Sequence, residues 1–137
     1  MKVKIIDHGC KHWPRRAHPY DVGADVYAVR DQIVEVGCSA AIPLGFGLDL
    51  PGGFGAFIFP RSSQAKEGIN CALSPLDPGY TGEMHALIQN CGHEAYHIKE
   101  GDRIGQLVVL PVLLPDFCDE SLFSSPRGTG AFGSTGK

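Results

Sequence analysis

A chain of 137 residues with a net charge of −3 can build one real core but not two, and its near-balanced charge gives no electrostatic basis for general nucleic-acid binding. Eighteen glycines and ten prolines without a periodic repeat exclude collagen and solenoid architectures. No apolar run approaches the roughly 20 residues that span a bilayer, and the opening Met-Lys-Val-Lys-Ile-Ile-Asp is unlike a signal peptide, so a cytoplasmic protein with no membrane partner is expected.

Five scattered cysteines with no Cys-x-x-Cys pair (Cys10, Cys38, Cys71, Cys91 and Cys118) read as reduced thiols. Cys10-x-His12 and Cys91-x-His93 lack the spacing of the common zinc knuckles.

Lys2 to Ile6 alternates charged and apolar residues, as a half-buried opening strand does. Lys11 to Tyr20 is a polar, proline-interrupted loop. In Asp21-Val-Gly-Ala-Asp25-Val-Tyr-Ala28 the chain turns apolar again; its two acids can be turn-formers or site residues. Ile33 to Val36 is a short strand. Ala41 to Leu50 and Phe54 to Phe59 are two more, and Pro51-Gly-Gly53 predicts a hairpin between them.

Pro60-Arg-Ser-Ser-Gln-Ala65 gathers a cation and two hydroxyls within a few residues. That collection suits an oxyanion such as a phosphate, although serine-rich loops are common. Gln64 to Gly68 is the one short helical candidate. The rest of the chain is organised around Leu73 to Glu83, in which Asp77 stands between Pro75 and Pro78. Pro78-Gly79 reads as a tight turn on a rigid hairpin. Asp77 can bond its own backbone there, or can face a ligand beside the ring of Tyr80. Met84 to Ile88, Tyr96 to Ile98 and Ile104 to Val112 complete the strands. Short strands between Gly/Pro turns predict a jelly-roll-like all-β sandwich or barrel. From Asp116 to Lys137 the chain is polar and rich in Gly and Ser, a flexible tail by composition. Arg127 and Phe132 among its glycines suit closure over a ligand.

Together these segments resemble the trimeric dUTP diphosphatases, the dUTPases. Five motifs fall in family order: Val22 to Ala28, Pro60 to Ala65 with Gly68-Ile69, Leu76 to Glu83, Gly101 to Leu107, and Arg127 to Gly136. The resemblance implies an all-β, distorted jelly-roll-like β-clip core (residues 1–115), a flexible C-terminal arm (116–137), and a homotrimer whose sites are shared between chains. It implies hydrolysis of dUTP to dUMP and pyrophosphate by water attack at the α-phosphorus, which keeps uracil out of DNA and supplies dUMP. Asp77 is then the general base and Tyr80 packs beneath the deoxyribose. The backbone around Cys71 to Leu76, including Ser74 and Leu76, reads uracil. Arg61, Ser62, Ser63 and Gln106 hold phosphates. Arg127 reaches the γ-phosphate, Phe132 stacks on the base, and Gly133, Ser134 and Thr135 cover the phosphate tail. Mg2+ rides on the triphosphate, with Asp25 acting through water.

Ser63, Ser74 and Pro78-Gly79 depart from the common dUTPase pattern and are shared with the related dCTP deaminases. The catalytic Glu of the deaminases would fall on Leu87. A deaminase or bifunctional enzyme is the alternative reading, and a regulatory binding protein on the same scaffold is a third.

Overall fold

Short runs of β-branched and aromatic residues, each stopped by glycine or proline, cannot make long strands, and they do not. The computed structural model describes residues 1–119 together with Gly128, Gly130, Gly133 and Gly136. In chain order the strands are β1 (Lys4–Asp7), β2 (Ala24–Tyr27), β3 (Gln32–Val34), β4 (Ser39–Pro43), β5 (Phe46–Asp49), β6 (Phe54–Phe59), β7 (Ile69–Cys71), β8 (His85–Asn90), β9 (Tyr96–Ile98) and β10 (Arg103–Pro111), with α1 (Ser62–Lys66) between β6 and β7. They form four small antiparallel sheets, β1-β5, β2-β10-β6, β3-β9 and β4-β8-β7. The architecture is nearly all-β and jelly-roll-like, as expected.

The inward positions of these sheets meet in one core. Val26, Ile42, Leu44, Phe46, Ile88 and Ile104 are fully enclosed, each side chain of this size stabilising the fold by about 1.5–3 kcal/mol when buried. Asn90 is the polar exception inside. Its Nδ2 donates to the carbonyls of Val34 (2.9 Å) and Glu94 (2.8 Å), and its Oδ1 accepts from the Gly92 amide. A buried amide with its groups paired carries little penalty and pins β3 to the turn after β8.

Three expectations need correction. The opening strand begins two residues late, and only Ile6 within it is partly buried, because β1 is half of a two-stranded sheet with little to cover it. The single strand expected over Ala41 to Leu50 is two strands. Gly45 breaks it with φ +75°, and the pairing switches from β8 for β4 to β1 for β5. A side chain at Gly45 would meet the Cys10 backbone at 2.8 Å, so only glycine fits this corner. Pro51-Gly-Gly53 does not make a hairpin: β5 and β6 belong to different sheets. The Gly53 carbonyl instead accepts from the Val112 amide at the far end of β10, because β6 finds a longer partner there.

Candidate active site

The Leu73–Glu83 stretch is a loop spanning residues 72–84 between paired strands β7 and β8, rather than a tight hairpin. Its turn is as the sequence predicts. The Tyr80 amide donates to the Asp77 carbonyl at 3.2 Å, and Gly79 has φ +89°. That is a type II turn, with proline and glycine at the positions that require them. The Asp77 carboxylate is exposed and makes no bond to its own turn or to any described residue. It faces a cleft of about 330 Å³ together with Ile58, Leu76, Tyr80, His85 and Leu87.

Two clamps hold this loop. On one side Leu76 pairs with Ala56 of β6 through both backbone groups (2.8 and 3.3 Å), and Ala72 donates to Leu87 at 2.8 Å. Between these anchors the amides of Leu73 and Ser74 have no hydrogen-bond partner among the described residues, so they are free donors beside the cleft. On the other side the start of β5, Gly45 before it and His8 after β1 grip the loop. Met84 donates to Phe46 at 2.8 Å, the Gly45 amide donates to Glu83 Oε1 at 2.9 Å, and His8 Nε2 lies 2.8 Å from the Thr81 carbonyl. Tyr80 folds back over Gly82, where any Cβ would collide with its phenol, and its hydroxyl reaches the Glu83 carbonyl at 3.4 Å. Half the tyrosine remains exposed.

A second cluster forms around Asp25. This acid is buried on β2, opposite Gln106 of β10, so the turn-forming reading fails for it. That reading holds for Asp21, whose Oδ2 accepts the His18 amide at 2.8 Å. The Asp25 carboxylate lies 3.6 Å from Arg61 Nε, 3.5 Å from Arg103 Nη1 and 3.4 Å from Gln106 Nε2. Gly23 lets the strands close up, since a Cβ there would meet Gln106 at 2.8 Å. Two guanidinium groups against one carboxylate leave net positive charge, and the Ser62 and Ser63 side chains are exposed beside it. The arrangement suits an oxyanion.

The donor set does not make a direct Mg2+ site. Asp25 is the cluster's one carboxylate and already faces two cations, and no group of three or more acidic, His or Cys side chains that could hold a metal occurs among the described residues. A magnesium ion here would keep water and phosphate oxygens as its ligands, as Mg2+ commonly does.

The expected residues therefore fall into two groups. Ser74, Leu76, Asp77 and Tyr80 line the cleft; Asp25, Arg61 and Gln106 form the cationic cluster. None of the residues expected to hold phosphate lines the cleft. Strand β6 shows why: its Ala56 fixes Leu76 in antiparallel register, so Asp77 runs back past residue 55 while Arg61 leaves the strand's other end. Six residues of extended chain separate the two, roughly 20 Å at about 3.3 Å per residue. Arg127, Phe132, Ser134 and Thr135 lie outside the described residues; Gly133 has φ +97°. Sequence reasoning missed Arg103, although it stands inside the fourth motif. It also missed His85, whose alternating position on β8 turns it toward the cleft.

The dUTPase family model matches residues 10–136. Deoxyuridine 5′-triphosphate nucleotidohydrolases from Tropheryma whipplei and Gloeobacter violaceus are 38% and 42% identical, covering 100% and 99% of this chain and 97% and 96% of their own. In fold, the chain is similar to a mutant dUTPase of Staphylococcus bacteriophage 80alpha solved with dUpNHpp (TM-score 0.89, 23% identity, 99% of each chain). It is similar also to a mutant dUTPase of phage phi11 of S. aureus, described for its coordination of a structural Mg(II) ion (TM-score 0.83, 20% identity, 91% of this chain and 100% of that one). Matched along nearly its whole length, the chain belongs to the dUTPase family.

Proposed function

We propose that this chain hydrolyses dUTP to dUMP and pyrophosphate, which keeps uracil out of DNA and supplies dUMP. The observation that carries the reading is the end-to-end match to deoxyuridine triphosphate nucleotidohydrolases; the cleft supplies its chemistry. Asp77, unpaired and at the mouth of a concave site, takes a proton from water as that water attacks the α-phosphorus in line. The free amides of Leu73 and Ser74 pair with the uracil edge. Leu76, whose backbone is occupied by Ala56, contributes an apolar wall. Tyr80 packs under the sugar and leaves no room for a 2′-hydroxyl. Arg61, Ser62, Ser63 and Gln106 clamp the phosphates, and Arg103 joins them.

The active assembly is a homotrimer in which cleft and clamp of one site come from different chains. The roughly 20 Å between Asp77 and Arg61 within one chain supports this, since both groups must act on one triphosphate. So do Leu113, Leu114 and Phe117, which follow β10 with 94%, 79% and 94% of their surface exposed, an apolar stretch that a second copy would cover. The arm from residue 116 closes over the site, Arg127 at the γ-phosphate, Phe132 on the base, and Gly133, Ser134 and Thr135 along the phosphates. Mg2+ is carried by the triphosphate, where it offsets phosphate charge, with Asp25 reaching it only through water. All five cysteines are free, which suits the reducing cytoplasm as the place of the reaction.

The deaminase alternative finds no support at the site: Leu87 lines the cleft where that chemistry needs a carboxylate. Incubation with each deoxynucleoside triphosphate and Mg2+, following pyrophosphate, monophosphate and base together, tests the reading. Release of dUMP and pyrophosphate from dUTP alone is expected. Conversion of dCTP to a uracil nucleotide, or no turnover of dUTP, would refute it.

A further inference from the structure

Gln64 is buried to 4% exposure inside α1, a place that a leucine would fill without desolvating an amide. Its polar atoms are all used, and in one direction of sense. Oε1 accepts the Arg61 amide at 2.8 Å; Nε2 donates to the Ile104 carbonyl at 3.1 Å and to the Tyr96 hydroxyl at 3.1 Å. Ile104 is the residue skipped in the register between β10 and β2, where Arg103 pairs with Tyr27 and Gly105 with Val26. That bulge turns its carbonyl out of the ladder and toward Gln64. One amide thus ties the backbone of Arg61 to the strand that carries Arg103 and Gln106, the two halves of the cationic cluster. Arg61 itself has extended backbone (φ −79°, ψ 150°) and no side-chain cap of its own, so the Gln64 bond is what locates its amide.

We infer that Gln64 is a positioning residue for phosphate binding: it sets the spacing between Arg61 and β10, and the Tyr96 hydroxyl anchors its amide through a further bond. The inference rests on the phosphate role proposed for Arg61 and Gln106. Burial pushes the Tyr96 phenol above its ordinary 10.0, against the opposing hydrogen bond from Gln64, so the hydroxyl stays protonated at neutral pH. The orientation of the Gln64 amide is fixed by the Ile104 carbonyl, which can only accept, and the Arg61 N–H, which can only donate; the Tyr96 hydroxyl accepts the second Nε2 hydrogen.

The test compares two ligands on the full chain. A non-hydrolysable dUTP analogue engages cleft and clamp, whereas deoxyuridine engages the cleft alone. Gln64→Met keeps the volume and removes the three bonds. It should weaken the analogue about tenfold, on the order of one hydrogen bond to a charged group, and deoxyuridine less than twofold. Tyr96→Phe leaves two of the bonds and should weaken the analogue about two- to threefold, with deoxyuridine again unmoved. A structural role alone would lower the melting temperature and leave both affinities of the folded protein unchanged; that result, or equal losses for both ligands, overturns the inference. If Gln64→Met does not fold, Tyr96→Phe decides on the same terms. Failure of the parent to hydrolyse dUTP would instead strike the proposed function; an active parent with indifferent variants strikes only the role of Gln64.

Discussion

Replacing Asp25 with asparagine keeps the shape of the cluster and removes its one negative charge. The two ion pairs, at 3.5 and 3.6 Å, have a gross Coulomb energy of roughly 4–5 kcal/mol each at an effective dielectric of about 20. Much of that is offset by desolvation. The Arg103 side chain is 52% exposed, so solvent screening leaves its pair worth about 1 kcal/mol or less. Arg61 is 26% exposed and its pair is worth more, about 1–2 kcal/mol, because loss of the partner strands a half-buried guanidinium. Asn also turns one acceptor into a donor facing guanidinium N–H groups. The sum is a loss of about 2–3 kcal/mol, which in a chain of this size lowers the melting temperature by roughly 6–10 °C. The KM for dUTP should rise as well, since Arg61 is no longer held toward the phosphates. Differential scanning fluorimetry at low and high salt, with initial-rate kinetics, checks both; the stability gap should narrow in salt. A melting temperature within about 2 °C of the parent together with an unchanged KM would show that the carboxylate is not what organises the two arginines.

Asp77→Asn should lower kcat by about 10²–10⁴-fold, the usual worth of a positioned base, while a non-hydrolysable analogue binds nearly as before; single-turnover kinetics and titration read the two separately. Mixing Asp77→Asn chains with chains truncated before Arg127 should restore activity that neither has alone, because the two defects can fall in different sites of one trimer; demonstrated chain exchange without rescue would count against shared sites. Tyr96 predicts a pH effect. A phenol whose folded pKa lies above 10.0 contributes stability that is present below the unfolded value and lost as pH rises through the folded one. The stability gap between parent and Tyr96→Phe, measured by urea midpoints, should therefore narrow above pH 10.

Local chemistry was the legible part of the fold. Pro78-Gly79 can hardly do anything but turn, and strands appear within a residue or two of the apolar runs that predict them. Partner choice was not legible. Pro51-Gly-Gly53 has the composition of a hairpin, yet β6 pairs with β10, because six successive register pairs there outweigh what a short turn can impose on β5. Gly45 hid a sheet switch for a similar reason: that no Cβ fits there shows only once Cys10 packs against it.

The site divides along the same line. Asp77, Tyr80, Arg61 and Gln106 could be named from residue type and motif order. Gln64 and Arg103 stand in the same motifs yet could not be named, nor could His85, because their meaning lies in what they touch. Gln64 follows two serines and reads as ordinary helix until Tyr96 and Ile104 are seen to close on it. Arg103 reads as a solvated charge until β2 brings Asp25 within 3.5 Å. The antiparallel bridge between Ala56 and Leu76 is the most consequential of these contacts. A sequence lists Arg61 and Asp77 sixteen positions apart, with nothing to say whether they meet. The bridge sends one up β6 and the other down it, so a single chain holds the proposed base and the proposed phosphate clamp at opposite ends of one strand. On the proposed reading, a triphosphate cleaved beside Asp77 takes its clamp from another chain, and the symmetric partner of the same chain is the simplest source.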